Sequence, residues 1–107
     1  MSDWHQGSIH YADLAVPLKN RPVVIISRTD INQMRENVVV ALITRTIRNN
    51  DLEISVGEEE GLTKPSVITL GDIHTVKKNR LGDRKGNLSD EKILQMKQNL
   101  KLLFEIE

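Results

Sequence analysis

The sequence predicts a mainly β fold, a compact twisted sheet or small barrel of five or six short strands followed by one C-terminal helix. Two observations carry that expectation. Short β-branched or alternating segments recur between residues 8 and 76, separated by brief polar connections. Beyond residue 90 the apolar spacing changes to 3, 4 and 3, the period of a helix rather than of a strand.

Each element follows from its own pattern. Ser8–Asp13 alternates, with Ile9 and Tyr11 on one face and His10 and Ala12 on the other. Ala15 to Asn20 contains Pro17 and reads as a connection. Pro22–Ile26 is almost continuously β-branched, the mark of a strand covered on both faces, and Val38–Ile43 repeats the pattern after a polar loop. Leu52–Val56 alternates, and Gly57 to Lys64 is a loop of acids between glycines. Ser66–Leu70 and Ile73–Val76 read as two further strands, with Gly71 a bulge or kink between them. The final helix, from about Asp90 to Phe104, carries the stripe Ile93, Met96, Leu100 and Leu103. Ser89 is its N-cap, and Asp90 and Glu91 complement the dipole in its first turn. The stripe is expected to pack on the sheet rather than on a partner.

Composition narrows the function. The 107 residues suit one small domain spanning 1–107, and only three of them are aromatic. A core of Val, Ile and Leu follows, and self-association would help so small a chain bury surface. With no cysteine there is no disulfide scaffold, thiol nucleophile or Cys-ligated metal. No apolar run approaches the roughly 20 residues of a membrane span. The opening Met-Ser-Asp-Trp-His-Gln lacks the basic and apolar regions of a signal peptide, so a cytoplasmic setting is expected.

Fifteen basic and fifteen acidic residues balance, which argues against a non-specific nucleic-acid coat. The charges are blocked, however. Residues 19–48 hold six Lys/Arg against Asp30 and Glu36, and residues 73–89 hold five bases against Asp83 alone. Folding can join those stretches into a local anion site on a neutral protein; solvated loops are the plainer alternative.

Few residues offer chemistry. His5 and His10 read as surface residues, and no His-x-x-x-His or Glu-x-x-His spacing points to a metal. Glu58 to Glu60 read as solvated carboxylates, so neither a metal nor a cofactor is expected. Arg21 is more suggestive, because Pro22 holds the residue before it extended at the mouth of a buried strand. A guanidinium so mounted can grip a phosphate with two parallel hydrogen bonds. Thr44 ends the second buried strand, followed by Arg45, Thr46 and Arg48. Neighbouring strands would set Arg21 and Thr44 side by side, a pair able to stabilise a pentavalent phosphorane. From spacing alone, ordinary polar residues at strand ends remain the favoured reading.

A wider set of segments changes that balance. Gly7-Ser-Ile-His-Tyr-Ala-Asp-Leu14, Arg21-Pro-Val-Val-Ile-Ile-Ser27, Ala41-Leu-Ile-Thr44, Lys64-Pro-Ser-Val-Ile68, Asp72-Ile-His-Thr75 and Arg80-Leu-Gly82 follow one another in that order. Leu88-Ser-Asp-Glu then leads into the last helix. In order and spacing, over nearly the whole chain, this resembles the MazF/PemK family of toxin endoribonucleases. The resemblance implies an SH3-like barrel with a C-terminal helix, a homodimer, and metal-independent cleavage of single-stranded RNA. In such cleavage the ribose 2′-OH attacks the adjacent phosphate, leaving a cyclic phosphate and a 5′-OH. It also implies a small antitoxin partner whose tail occupies the RNA groove.

By the same resemblance the essential arginine falls on Arg21, the essential threonine on Thr44, and an RNA-contacting serine on Ser66. Charge adds Arg45, Lys77 and Lys78 as residues that track the RNA backbone, with His74 beside them. The chain departs from the family in three places. The Ala15–Asn20 connection is short and lacks a Gly-Ser-Glu-Gln element, and His74 stands where an arginine is usual. Aromatic residues are scarce, leaving Tyr11 and Trp4 as the stacking partners. Two competing readings are a binding-only member of the fold, like the gyrase-directed CcdB toxins, and a catalytically dead relative that sequesters antitoxin or RNA. The C-terminal Trp-Gly-Ile determinant of CcdB is missing, since the single Trp is residue 4, and keeping both Arg21 and Thr44 counts against a dead relative.

Overall fold

Six strands build one antiparallel sheet in a computed structural model that describes residues 4–15 and 18–107. In chain order they are β1 (Ser8–Asp13), β2 (Asn20–Ile25), β3 (Asn37–Thr44), β4 (Glu53–Val56), β5 (Ser66–Lys77) and β6 (Leu81–Asn87). A short helix α1 (Thr29–Met34) joins β2 to β3, and α2 (Asp90–Leu103) follows β6. The spatial order is β4-β5-β3-β2-β1-β6. Pro17, expected in the first connection, lies with Val16 outside the described residues.

The continuous apolar runs of β2 and β3 form the two-sided centre of the sheet. Val24, Ala41 and Ile43 face a core shared with Ile54, Ile68 and Met96. Val23, Ile25, Val38, Val40 and Leu42 face a second core, against which Trp4, Leu18, Val76 and Leu81 pack. Each fully buried Val or Ile contributes about 1.5–3 kcal/mol, so two dry faces stabilise a chain too small for one large core. As expected, α2 lays Ile93, Met96 and Leu100 on the first core, and the Ser89 hydroxyl accepts a 3.2 Å bond from the Lys92 N–H. Its outer side leaves Leu94, Leu102 and Phe104 exposed.

The sheet curls until its two ends meet. After β4 the chain passes through a 3-10 turn at Glu58–Glu60 and crosses β6 backbone to backbone. A Cβ on Gly86 would run into the Glu60 carbonyl oxygen, and one on Gly61 into that of Lys85. Gly61 also has φ +88°, a left-handed conformation that glycine adopts freely. Glu60 fixes this loop from within and is not solvated as expected. Its carboxylate is buried, accepts the Gly57 N–H at 2.7 Å, and pairs with Lys92 of α2 at 3.0 Å. Glu58 and Glu59 are exposed, as the charge pattern suggested.

Four further differences have physical causes. The two strands expected around Gly71 are one long β5, bulged where the pairing jumps from Leu42↔Thr69 to Ala41↔Ile73. The polar loop after β2 contains α1, which is held by tertiary bonds. Buried Asn32 donates to the Trp4 and Ser27 carbonyls at 2.8 and 2.9 Å. The sixth strand is β6, whose Leu-Gly-Asp-Arg-Lys-Gly-Asn sequence has no apolar alternation; it is a strand because its backbone pairs with β1. Finally, His10 is fully buried rather than on the surface. Alternation along β1 separates two faces, but the curled sheet covers both of them. The carbonyl of Gly82 can only accept, so His10 Nδ1 carries the proton of their 2.8 Å bond. Nε2 lies 3.1 Å from Ser8 Oγ, and Trp4 stacks on the ring at 5.9 Å. His5 is half-buried, its carbonyl accepting from Ser8.

Candidate active site

The two central strands part company at one end. Pairing between β2 and β3 runs from Ile25↔Val40 to Val23↔Leu42 and stops there. Beyond that point β2 stays with β1 as far as Asn20, while β3 stays with β5 as far as Thr44. The sheet therefore forks. Continuing the lost register by two places would set Arg21 opposite Thr44, on the face of Val23 and Leu42. The expectation that neighbouring strands bring this pair together is met by one groove of about 260 Å³ lined by both.

The groove's chemistry is one-sided. Arg21, Arg45 and Lys64 line it, with no carboxylate among the described residues that do so. Arg21 is half-buried, and its Nε donates to the Leu18 carbonyl at 3.2 Å, which holds the head while its terminal amino groups have no partner among the described residues. Thr44 Oγ1 accepts the Thr46 N–H at 3.2 Å, leaving its own proton to donate. Ser66, buried at the start of β5, uses its hydroxyl proton on the Lys64 carbonyl at 3.0 Å and keeps its lone pairs. Tyr11 completes the wall. A guanidinium fork, a hydroxyl donor and two further cations on rigid strand ends make a receptor for a phosphate that gains charge.

The other expected contacts lie elsewhere. Lys77 pairs with Asn37 at the far end of β3. At about 3.3 Å per residue, that is roughly 23 Å from Thr44. Lys77 and Lys78 line a separate groove with Arg35 and Glu36, and His74 is half-buried opposite Val40 in mid-strand. Trp4 is committed to His10 on one side, with Lys78 Nζ 5.5 Å from its ring centre. Lys64, Asn20 and Thr46 belong to the groove but were not singled out by sequence. The signal for Lys64 was its place two residues before Ser66 in the Lys64-Pro-Ser segment. Among the described residues, no three His, Asp or Glu side chains gather as a metal cage, and no helix is long and apolar enough to cross a membrane.

A family model described as "PemK-like, MazF-like toxin of type II toxin-antitoxin system" matches residues 5–104. The chain belongs to the PemK/MazF family. An Endoribonuclease MazF from Staphylococcus saprophyticus is 36% identical over 100 residues, covering 85% of this chain and 82% of that protein. Endoribonuclease MazF3 of Mycobacterium tuberculosis is 38% identical over 80 residues, 75% of each chain. Among solved structures, the Mycobacterium tuberculosis toxin MazF-mt6 superposes with a TM-score of 0.86 at 31% identity, covering 94% of this chain and 98% of that one. A MazE–MazF structure from Deinococcus radiodurans still gives 0.81 at 11% identity over 100% of both chains, a likeness of fold alone. The barrel-like sheet with a C-terminal helix expected for a MazF-like chain is thus the one observed, and the Arg21–Thr44 fork sits inside the matched region.

Proposed function

We propose that this MazF-like chain is the toxin of a type II toxin–antitoxin pair, acting from residues 1–107 as one domain. Its activity is metal-independent endonucleolytic cleavage of single-stranded RNA at the fork between β2 and β3. The observation that carries the reading is the groove holding Arg21 and Thr44 together with two further cations and, among the described residues, no acid.

The chemistry follows from what these groups can do. A ribose 2′-oxygen forms a bond to the adjacent phosphorus, the bond from phosphorus to the 5′-oxygen breaks, and that oxygen leaves as a 5′-OH. The other fragment keeps a cyclic phosphate. Negative charge grows on the non-bridging oxygens as the phosphorane forms, so groups aimed there accelerate the step. Arg21 binds those oxygens with two N–H groups, and Thr44 donates a third hydrogen bond. With a pKa above about 12, Arg21 is a stabiliser and a poor base. Ser66 accepts a hydrogen bond from the substrate, and Arg45 and Lys64 hold the flanking phosphates. His74, Lys77 and Lys78 meet only an RNA long enough to run the length of β3.

The same cations suit the acidic tail of an antitoxin, which would block the groove by occupying it. Exposed Leu94 and Leu102 on α2, with Phe104 at its C-cap, offer apolar surface for a homodimer. A cytoplasmic setting, where messenger RNA is the substrate, completes the reading. The test incubates the protein with a long unstructured RNA in EDTA, beside Arg21→Ala, and maps the fragment ends. Discrete cuts with 5′-OH ends, lost in the variant, are expected. Intact RNA from a folded protein would overturn the proposal and favour the binding-only reading.

A further inference from the structure

The groove at the fork does not end at Tyr11. A second groove of about 580 Å³ shares Tyr11, Asn20, Leu62 and Thr63 with it and adds Asp83 and Lys85 from β6. Tyr11 stands between the two, 40% exposed, with the Lys85 ammonium 5.8 Å from its ring centre. The far wall is firm, because Gly61 lines it and is locked against β6 by the backbone crossing. Among the described residues Asp83 is the one carboxylate lining either groove, and it is exposed. Against a polyanion a carboxylate is unfavourable unless it accepts a hydrogen bond from the ligand. Nucleobases supply such donors on their amino groups.

We infer that the second groove is a nucleobase subsite: a base next to the scissile phosphate stacks on Tyr11 and donates from an exocyclic amino group to Asp83. The inference deepens the proposed RNA cleavage at Arg21 and rests on it. Base–aromatic stacking outweighs a cation–π contact at an exposed site, so the base displaces the Lys85 ammonium and frees it for the neighbouring phosphate. Adenine, cytosine and guanine carry the amino group. Uracil has no amino group, and its one N–H on that edge lies between two carbonyl oxygens that Asp83 repels, so it is disfavoured. The groove is thus a source of sequence preference on β1 and β6, apart from the short connection before β2.

The experiment uses short RNAs with A, C, G or U at each nucleotide flanking a mapped cut, and measures kcat/KM for the wild type, Tyr11→Ala, Tyr11→Phe and Asp83→Ala. At one flanking position the wild type should favour amino-bearing bases over uracil by about ten-fold. Asp83→Ala should erase that preference while still cutting. Tyr11→Ala should lower kcat/KM by about 10- to 100-fold at every base, and Tyr11→Phe, which keeps the ring, should recover most of that loss. Circular dichroism confirms that each variant is folded. A cutting wild type whose Tyr11→Ala and Asp83→Ala variants match it in rate and preference overturns this inference alone. A wild type that cuts no RNA overturns the functional reading and this inference with it.

Discussion

The two ends of β3 are both rich in cations, yet they are built for different work. At the Thr44 end, β2 and β3 diverge, no carboxylate lines the groove, and the terminal amino groups of Arg21 have no partner among the described residues. At the Asn37 end an acid stands among the cations and one of them already has a partner. Glu36 lines their groove and the Lys78 ammonium sits over Trp4, while Lys77 is exposed. Charge counted along the sequence gives both ends equal weight. What separates them is the acid that shares the second groove and the Lys78 ammonium already spent on Trp4.

The sharpest way to break that comparison is to remove the unspent donor. Arg21→Ala should lower RNA cleavage by about 10²- to 10³-fold, as loss of one preorganised donor at a developing anion does. Thermal unfolding should barely change, since the head is held only by its bond to the Leu18 carbonyl. Thr44→Val keeps the shape and removes the hydroxyl, so a loss of about 10- to 100-fold is expected, worth the 1.5–3 kcal/mol of a hydrogen bond to a charged group. A Thr44→Val protein with wild-type kcat would remove Thr44 from the mechanism. Lys64→Gln should act on binding more than on chemistry. Affinity for an uncleavable RNA should fall, and the slope of log K against log salt should shrink by about 0.7, the share of one phosphate contact on a single strand.

How far the sequence could be read also differs between the two ends. Pro22–Ile26 and Val38–Ile43 announced two-faced central strands, and Arg21 and Thr44 stood out because each terminates one of those runs. Nothing local announced β6. Its residues are polar and largely exposed, and only its pairing with β1 makes it a strand, so the second groove was illegible. His10 was misread for a related reason: a one-dimensional alternation cannot say that a curled sheet covers both faces. Glu60 looked like one of three equal acids, and only its pairing with Lys92, 32 residues away, singles it out. The sequence thus reveals roles set by neighbours along the chain and hides those set across the barrel.

The smallest effect should come from the Asn37 end, and it is the most informative about how long a substrate the protein grips. Lys77→Gln and Lys78→Gln leave the fork untouched, because their groove shares no residue with it. A substrate of three nucleotides centred on Thr44 stops short of Lys77, roughly 23 Å away along β3. Cleavage of such a substrate should be within about two-fold of wild type for either variant. A substrate of ten or more nucleotides running along β3 should gain affinity from both lysines, and Lys77→Gln should lose more of it than Lys78→Gln. The reason lies in their present partners: Lys78 must leave Trp4 to meet a phosphate, whereas the exposed Lys77 side chain has no bond to break among the described residues. Equal losses on short and long RNAs would mean that both ends of β3 serve one site, and the contrast between the two ends would fail.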